Sequence, residues 1–279
     1  MNARNPTALR IAAIGLGLLV SLLCLYPYWW MLVSAFRNTQ DILSSPLRPW
    51  PEKLSLDVLQ EIAQVGGTPL WRYVLNSLLI TTASTVVGIL VTALGAYALV
   101  SRPRFWLFRL LRSGFMVTIM YPYMLLVIPV YIVMYKLGLL GSYTGIILFL
   151  ALGPIQFFLF EQFFSTIPKS VIEAAVIDGA TELQILFLVV MPLAMPIVAT
   201  ASIITFLLNW AQWLPVMVVS RSPDTYTLPV ALMNISGELG VNFQGVMALS
   251  VLTTIPVTVF FLIAQRRVMS GMTAGAVKG

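Results

Sequence analysis

Residues 168–184 read PKSVIEAAVIDGATELQ, a pattern that predicts two short helices joined by a bend. Each predicted helix opens with a capping box. In this motif a side-chain hydroxyl accepts a hydrogen bond from the backbone amide three residues later, and the side chain of that later residue accepts one from the backbone amide of the first. The two boxes are Ser170 with Glu173 and Thr181 with Gln184. Gly179 stands between the helices, where glycine commonly ends a helix in the left-handed conformation. We refer to residues 168–192 as the elbow.

The composition of the elbow is compatible with two roles, a docking surface for a partner or a plain connection between two segments. Ala174 and Ala175 are small enough to let another surface approach closely. The apolar side chains around them could enter a groove, as partner-binding helices do. These side chains are Val171, Ile172, Val176 and Ile177. Glu173 and Asp178 add charge for a partner to pair, and local chemistry leaves both roles open.

The sequence on both sides of the elbow is strongly apolar. Of the 279 residues, 59% are hydrophobic and 9% are charged, whereas an ordinary soluble domain has about 45–50% and about 25%. A chain of this length has too little interior to hide that much apolar surface from water. The composition therefore excludes a soluble enzyme or a nucleic-acid-binding domain and predicts an integral membrane protein.

Six runs without a charged residue are long enough for a helix that crosses about 30 Å of hydrocarbon. The runs are 11–36, 73–101, 113–135, 137–160, 183–220 and 239–265. The first is too long for a cleaved signal peptide. The fifth contains three prolines and predicts one span at about 193–217, preceded by a segment outside the bilayer. We therefore predict an all-α polytopic membrane protein with six transmembrane helices.

The charges in the loops predict the orientation. Six spans place both termini on one side of the membrane. If that side is cytoplasmic (N-in/C-in), the inner segments carry ten of the 16 Lys and Arg residues, in agreement with the positive-inside rule. The outer loop 37–71 then contains a short amphipathic helix from Ser55, ended by Gly66 and Gly67. That helix is either a lid on the bundle or part of a docking surface for an external partner.

The chain shows no means of its own to use an energy source. No Asp, Glu, Lys, Arg or His lies in the predicted hydrocarbon core, whereas proton-driven pumps place such groups there. The sequence also lacks a GxxxxGK[ST] phosphate loop. It has no His and one Cys, Cys24, which argues against a metal site or a His-dependent catalytic pair. A stand-alone transporter or channel and a membrane-embedded enzyme are disfavoured alternatives. Either transport is passive or a partner supplies the energy.

The elbow resembles the EAA loop of permeases in binding-protein-dependent ABC importers (the type I, MetI-like family). In that loop, Glu-Ala-Ala is followed after three residues by Gly and, after nine more, by Ile-x-Leu-Pro. Here the pattern runs through Glu173-Ala174-Ala175 and Gly179 to Val189-Val-Met191-Pro192. Val replaces Ile and Met replaces Leu, and both changes are conservative in volume and polarity.

Further segments resemble the maltose-type carbohydrate branch of that family, specifically its second, shorter permease. They are Asp178 before Gly179, Asn76-Ser77-Leu78 and Ala96-Tyr97-Ala98 at the two ends of the second span, Phe206–Trp213 with Tyr226-Thr-Leu-Pro229, and the tail with Gln265-Arg266-Arg267 and Gly271–Gly279. The tail and Asp178 disfavour an amino-acid or peptide permease. The resemblance covers nearly the whole chain.

The resemblance implies a type I ABC importer permease fold and a transport subunit without its own ATPase site. The implied cargo is a mono-, di- or oligosaccharide or a related polyol or glycerol phosphate. The implied partners are a second, homologous permease of different sequence, two cytoplasmic ATP-binding subunits, an extracytoplasmic solute-binding protein and membrane lipid, but no nucleic acid. ATP and Mg belong to the ATPase subunits, so no cofactor, metal or catalytic residue is expected here. The implied location is the cytoplasmic (inner) membrane of a prokaryote.

The implied organisation places a permease core after the first helix. The whole chain then comprises a cytoplasmic N-terminus (1–10), a first transmembrane helix (11–36), the outer loop (37–71), the core (72–265) and a cytoplasmic tail (266–279). Within the core we expect spans at about 73–100, 113–135, 143–164, 193–217 and 243–265, with the coupling loop at 168–192.

The resemblance also assigns site residues. ATPase coupling is assigned to Glu173, Ala174, Ala175, Asp178, Gly179 and Pro192. Glu173 is expected to pair with a basic group on the ATPase. The tail residues expected to contact the same partner are Gly275, Ala276, Val277, Lys278 and Gly279, in a segment whose glycines predict a non-helical chain. The candidates for the substrate path are Asn209, Gln212 and Tyr121, for which interhelical hydrogen bonding is the alternative.

Overall fold

The computed structural model describes residues 6–237 and 242–276 and is mostly helical over them. The first elements are α1 (Pro6–Ser34), α2 (Thr39–Ser44), α3 (Asp57–Ala63), the hairpin strands β1 (Gln64–Val65) and β2 (Thr68–Pro69), and α4 (Leu70–Ser101). The central elements are α5 (Trp106–Met120), α6 (Tyr123–Lys136), α7 (Tyr143–Ala151), α8 (Pro154–Phe164) and α9 (Lys169–Ile177). The last elements are α10 (Glu182–Gln184), a π-helical segment (Ile185–Val190), α11 (Met191–Leu193), α12 (Met195–Trp210), α13 (Leu214–Val219), a 3₁₀ turn (Pro223–Thr225), α14 (Leu228–Gly237) and α15 (Phe243–Ala276).

The described residues contain between three and five candidate membrane spans rather than the six predicted. Three helical stretches are long and apolar enough to cross a membrane alone, namely Arg10–Ser34, Leu70–Ser101 and Phe243–Gln265. Two further spans require a bent pair of helices each. Helices α7 and α8 are bent by 48° against each other, and the helix Glu182–Leu193 is bent by 81° against α12.

The predicted span at 113–135 is not among these candidates because this uncharged run does not form one helix. Helix α5 ends at Met120, Tyr121 is extended (φ −87°, ψ 139°), and α6 starts after Pro122. Proline lacks an amide hydrogen and disfavours the α conformation in the residue before it, so the helix stops there. The prediction of a continuous helix over this run is wrong.

The predicted helix at 193–217 is also divided. Helix α12 ends at Trp210, and the separate helix α13 starts at Leu214 with Pro215 in its first turn. Helix α12 begins at Met195, close to the expected start at about 193, and Ala194 separates it from α11. The part of the uncharged run before Ala194 is therefore a different helix from the part after it.

The chain divides into two compact units, of which the first comprises Met1–Leu70 and Leu232–Ile255. Its loop after α1 is organised by Arg37, whose side chain is fully buried. Arg37 donates from Nε to Asp41 Oδ2 at 2.8 Å and from Nη2 to the backbone oxygens of Asp41 and Ser45 at 2.9 and 2.8 Å. The hydrogen bond from Arg37 holds the pKa of the Asp41 carboxyl below its usual value. Asp41 therefore stays ionised at neutral pH and keeps its charged partner.

The short helix predicted in the outer loop exists, but its limits differ. Helix α3 starts at Asp57 and ends at Ala63. Gly66 and Gly67 do not cap the helix; they form the turn of the β1–β2 hairpin with φ of +55° and +76°, because such turns require positive φ at both central residues. The buried side chains are Val58 and Ile62, whereas Leu56 is exposed.

The second unit comprises Trp71–Ala231 and Pro256–Gly279. The buried residues of α4 recur every three or four positions from Tyr73 to Tyr97, as expected for a helix with one packed face. Among the described residues, this unit contains two separate apolar cores. One contains Ala96, Phe157, Phe160, Phe164, Leu186 and Ala201, and the other contains Ile80, Ile146, Phe149, Val216 and Val230. The first core includes Ala175 and Ile185 and thereby supports the elbow.

Candidate functional site

The first helix of the elbow begins earlier than its sequence suggests. Helix α9 starts at Lys169, with Pro168 as the N-cap and no side-chain hydrogen bond to the cap. Ser170 is therefore the second residue inside the helix rather than the cap, and it does not accept from the amide of Glu173. The predicted capping box at Ser170 and Glu173 is wrong, because proline already supplies a suitable backbone angle at the cap (φ −60°).

The end of α9 is a Schellman motif built on Gly179, as the sequence predicts. Gly179 has φ +82°. The amide of Ala180 donates to the oxygen of Ala175 at 3.0 Å, and the amide of Gly179 donates to the oxygen of Val176 at 3.0 Å. This pair of hydrogen bonds satisfies carbonyl groups that a helix end leaves open. Ala180 also packs against the core that contains Ala175, which fixes the direction of the chain after the bend.

The second helix of the elbow starts with the predicted capping box. The Thr181 hydroxyl accepts a hydrogen bond from the backbone amide of Gln184 at 3.4 Å. The backbone amide of Thr181 donates to the side-chain oxygen Oε1 of Gln184 at 2.8 Å. The helix widens to π geometry over residues 185–190, and the amide of Met191 donates to the oxygen of Leu186. Pro192 follows within one turn, and the 81° bend comes at Ala194.

Helix α9 is packed on one side and exposed on the other. Ala175 is buried, and Ile172 packs against the same core. Glu173 and Ala174 are exposed, and the apolar side chains of Val176 and Ile177 are 58% and 85% exposed. Of the apolar side chains expected to contact a partner, Val176 and Ile177 are therefore exposed, whereas Val171 and Ile172 are partly buried. Exposed apolar side chains next to charged ones are typical of a protein docking surface.

The carboxylates of the elbow differ in their partners. Glu182 Oε1 lies 3.0 Å from Arg102 Nη2, so the elbow is linked to the basic turn between α4 and α5. Both side chains are exposed, and such a pair contributes little to stability. Among the side chains that the structure describes, Glu173 and Asp178 make no ion pair. Their charges are free to interact with another molecule.

Two of the three residues expected along a substrate path line one cavity of about 140 Å³. These are Asn209 and Gln212, which face the break between α7 and α8 at Leu152-Gly153-Pro154. Gln156, which the sequence placed only among the polar residues within spans, also lines the cavity and donates to Thr205 Oγ1 at 2.5 Å. Tyr121 does not line it; its side chain is 55% exposed at the break between α5 and α6.

The two amides in this cavity have different surroundings. Asn209 Nδ2 donates to Ser84 Oγ at 3.0 Å, which is the interhelical hydrogen bond that was the alternative to a path role. The side-chain amide of Gln212 makes no hydrogen bond within the described residues, although its backbone amide donates to the oxygen of Asn209. Gln212 is therefore the side chain with hydrogen-bonding capacity left for a solute.

The tail differs from its prediction. Helix α15 continues to Ala276, so Gly275 and Ala276 are helical and the expectation of a non-helical tail from Gly271 is wrong over the described residues. Each glycine costs a long helix only about 1 kcal/mol relative to alanine, and the neighbouring Met272, Ala274 and Ala276 favour helix. The remaining expected contacts, Val277, Lys278 and Gly279, lie outside the described residues.

The sequence did not reveal the role of Asn76, which anchors the loop between α13 and α14. Asn76 is buried, and its Nδ2 donates to the backbone oxygens of Asp224 and Tyr226, both at 2.8 Å. Its Oδ1 accepts from the Tyr143 hydroxyl at 2.8 Å. The neighbouring Ser77 hydroxyl accepts from the Leu228 amide at 2.8 Å. The start of α4 thus satisfies the backbone of a loop about 150 residues away.

The fold, with its helix pairs bent within the apolar segments and its exposed elbow, is that of an ABC importer permease. It is similar to a crystal structure of a bacterial ABC transporter involved in the import of the acidic polysaccharide alginate. The TM-score is 0.78 at 24% identity, and the alignment covers 95% of this chain and 98% of the other.

The chain belongs to the family of binding-protein-dependent transport system inner membrane components, whose model matches residues 84–273. It is 32% identical over 256 residues to the diacetylchitobiose uptake system permease protein DasC of Streptomyces coelicolor, covering 91% of this chain and 92% of the relative. It is 31% identical over 265 residues to the arabinooligosaccharides transport system permease protein AraQ of Halalkalibacterium halodurans, covering 93% of each chain.

Proposed function

We propose that the chain is one of two permease subunits of an ATP-driven importer for a carbohydrate. The two relatives named above are permeases for diacetylchitobiose and for arabinooligosaccharides, so the proposed cargo is a mono-, di- or oligosaccharide or a related polyol or glycerol phosphate. The observation that carries the proposal is the exposed surface of α9 beside Gly179, with Ile177 85% exposed. A chain without a phosphate loop needs such a surface, through which an ATP-hydrolysing partner can supply the energy for transport.

The elbow is the proposed coupling element. Its exposed residues, including Glu173 and Ala174, enter a groove on a cytoplasmic ATPase subunit, and Glu173 pairs with a basic group there. Ala175 acts from the buried side, where its small size lets α9 pack on the core. Gly179 sets the angle between the two helices. The complete proposed set is Glu173, Ala174, Ala175, Asp178, Gly179 and Pro192, with the tail residues 275–279 as a second contact.

The proposed assembly contains this chain, a second and different permease, two ATP-binding subunits and an extracytoplasmic solute-binding protein. ATP and Mg bind to the ATPase subunits, and this chain holds no cofactor. The chain crosses the inner membrane of a prokaryote six times with both termini in the cytoplasm, and residues 106–136 cross as a broken helix. The permease core at 72–265 follows the first helix and the outer loop 37–71.

We expect replacement of Glu173 by glutamine to lower sugar uptake by at least about tenfold, the effect of losing roughly 1.4 kcal/mol at the ATPase interface. The change removes one charge from an exposed position, so the amount of chain in the membrane should not change. The measurement is uptake of radiolabelled sugar by cells that express the complete transporter. Glu52→Gln, the same substitution in an exposed residue of the other unit, should leave uptake unchanged. Normal uptake by Glu173→Gln would contradict the assigned pairing.

For the substrate path we propose Gln212 as a direct contact, Asn209 as the residue that positions it, and Tyr121 as a contact at the break between α5 and α6. A side-chain amide can donate to and accept from sugar hydroxyls. Gln212→Leu is expected to reduce uptake about fivefold, equivalent to roughly 1 kcal/mol for one hydrogen bond. Binding-protein-stimulated ATP hydrolysis should remain. Gln265→Leu, outside this cavity, is the matched control. An unchanged uptake rate in Gln212→Leu would remove this residue from the path.

A further inference from the structure

A groove between α5 and α8 is not used by the proposed coupling or path. Helix α5 has no buried residue among those described. The residues of α5 along the groove are Arg109, Arg112, Met116, Ile119 and Met120. Their spacing of three or four places them on one face of the helix. The facing residues of α8 and the turn after it belong to the same unit, so the groove is formed within one compact part of the chain.

One end of the groove is basic. It is a cavity of about 610 Å³ lined by Arg109 and Arg112 together with Phe158, Glu161 and Gln162. Arg112 Nε lies 2.7 Å from Glu161 Oε1, and its guanidinium lies 5.9 Å from the centre of the Phe158 ring. Arg112 is thereby held in place. Among the described side chains Arg109 makes no ion pair, so this end of the groove keeps a net positive charge.

The other end of the groove is apolar. It is a cavity of about 530 Å³ lined by Met116, Ile119 and Met120 of α5 and by Ile155 and Leu159 of α8. Phe158 and Gln162 line both cavities, so the two ends are continuous. From Arg109 to Met120 the helix rises about 16 Å at 1.5 Å per residue. That length is about one leaflet, half of a hydrocarbon core of roughly 30 Å.

We propose that this groove binds one anionic phospholipid, with the phosphate at Arg109 and Arg112 and an acyl chain along Met116 and Ile119. A basic pocket that continues into an apolar groove matches the two chemistries of such a lipid, and basic pockets between membrane helices bind anionic headgroups. A helix of a partner protein would need no arginine at one end of an otherwise apolar groove.

The position of the basic end agrees with a lipid headgroup. Phe105 and Trp106, directly before α5 and at its start, are 46% and 62% exposed, and aromatic residues are enriched at membrane interfaces. Arg102 in the same turn pairs with Glu182 of the elbow. The basic end therefore lies on the side of the elbow, and its assignment to the cytoplasmic leaflet rests on the proposed function.

The test is native mass spectrometry of the purified complex, titrated with dioleoylphosphatidylglycerol or with dioleoylphosphatidylcholine. We expect the unmodified chain to retain one phosphatidylglycerol with higher affinity than phosphatidylcholine. Arg109→Gln should weaken phosphatidylglycerol binding about fivefold. Ile119→Trp should weaken binding of both lipids, because the larger side chain fills the apolar end. The same spectra show whether partner subunits are present, so failure of the proposed assembly is distinguished from failure of the lipid site.

Two matched variants separate a site from general attraction to the membrane. Arg104→Gln removes the same charge from the turn directly before α5 without lining the groove, and Leu110→Trp adds the same bulk at an exposed position of α5. Both should bind lipid like the unmodified chain. Equal weakening by Arg104→Gln and Arg109→Gln, equal affinity for the two lipids, or full binding by Ile119→Trp would overturn the proposal. Loss of the second permease from the Ile119→Trp complex would assign the groove to a protein contact and overturn it as well.

Discussion

Replacement of Gly179 by valine is expected to reduce sugar uptake to background while the chain remains in the membrane. Gly179 has φ +82°, and no heavy atom lies within 4 Å of the position that a Cβ would occupy. The substitution therefore creates no collision, and its effect comes from the backbone alone. A β-branched residue in the left-handed region costs about 3 kcal/mol, the upper end for a strained residue. The chain is expected to avoid that cost by changing the angle between α9 and the second helix of the elbow.

The change in angle has a specific consequence for transport. The exposed side chains of Val176 and Ile177 lie directly before the bend, so a different backbone path moves them away from the groove that they are proposed to enter. ATP hydrolysis by the complex should then no longer respond to the binding protein. The measurement pairs uptake with ATPase activity in proteoliposomes that contain the complete transporter.

Two control variants distinguish the bend from general strain. Gly179→Asn should retain most uptake, because asparagine tolerates the left-handed conformation better than valine. Gly138→Val introduces the same strain at φ +67°, also with open space around the Cβ position, in the turn after α6. It should leave the response of the ATPase unchanged. Full uptake by Gly179→Val, or equal loss by Gly138→Val, would show that the angle at Gly179 does not couple the subunits.

The parts of the elbow that the sequence predicts correctly depend on interactions over three to five residues. The Schellman motif at Gly179 and the box between Thr181 and Gln184 are of this kind. The box at Ser170 fails for an equally local reason, since Pro168 takes the cap position two residues earlier. Local chemistry thus defines where the chain bends but not which face of α9 is buried. Ile172, expected among the apolar contacts for a partner, packs against the core instead.

The membrane segments show a second limit. The absence of charge identifies apolar runs, but it does not tell a continuous helix from a broken one. The breaks at Tyr121-Pro122 and at Leu152-Gly153-Pro154 need proline or glycine together with surroundings that satisfy the freed backbone groups. The cavity at the second break is lined by Gln156 of α8 and also by Asn209 and Gln212, which are distant from the break in sequence. The cavity itself was therefore not predictable from residue spacing.

The network at Asn76 was missed for the same reason, and it leads to the prediction with the largest effect on stability. Asn76→Leu is expected to lower the free energy of unfolding by about 3 kcal/mol, because the Tyr226 oxygen loses its donor, the Asp224 oxygen keeps only the Tyr143 hydroxyl at 3.2 Å, and that hydroxyl loses one of its two acceptors. The side chain is only 5% exposed, so water does not readily replace it. The expected fall in melting temperature is about 10 °C, measured by tryptophan fluorescence of the purified complex.

Three comparisons test whether the two hydrogen bonds donated by the Asn76 side chain cause this loss of stability. Asn76→Asp keeps the shape but cannot donate to the oxygens of Asp224 and Tyr226, so it should destabilise at least as much as leucine. Tyr143→Phe removes one hydroxyl and should cost only about 1 kcal/mol in the unmodified chain. It should cost at least as much in the Asn76→Leu background, where that hydroxyl is the donor that remains for the Asp224 oxygen. Asn209→Leu, which loses a single hydrogen bond to Ser84, should cost an amount of stability between those of Tyr143→Phe and Asn76→Leu.

A melting temperature of Asn76→Leu within about 2 °C of the unmodified chain, less than roughly 1 kcal/mol, would mean that the loop between α13 and α14 is held by other contacts. Ser77, whose hydroxyl accepts from the Leu228 amide, would then be the residue to replace next.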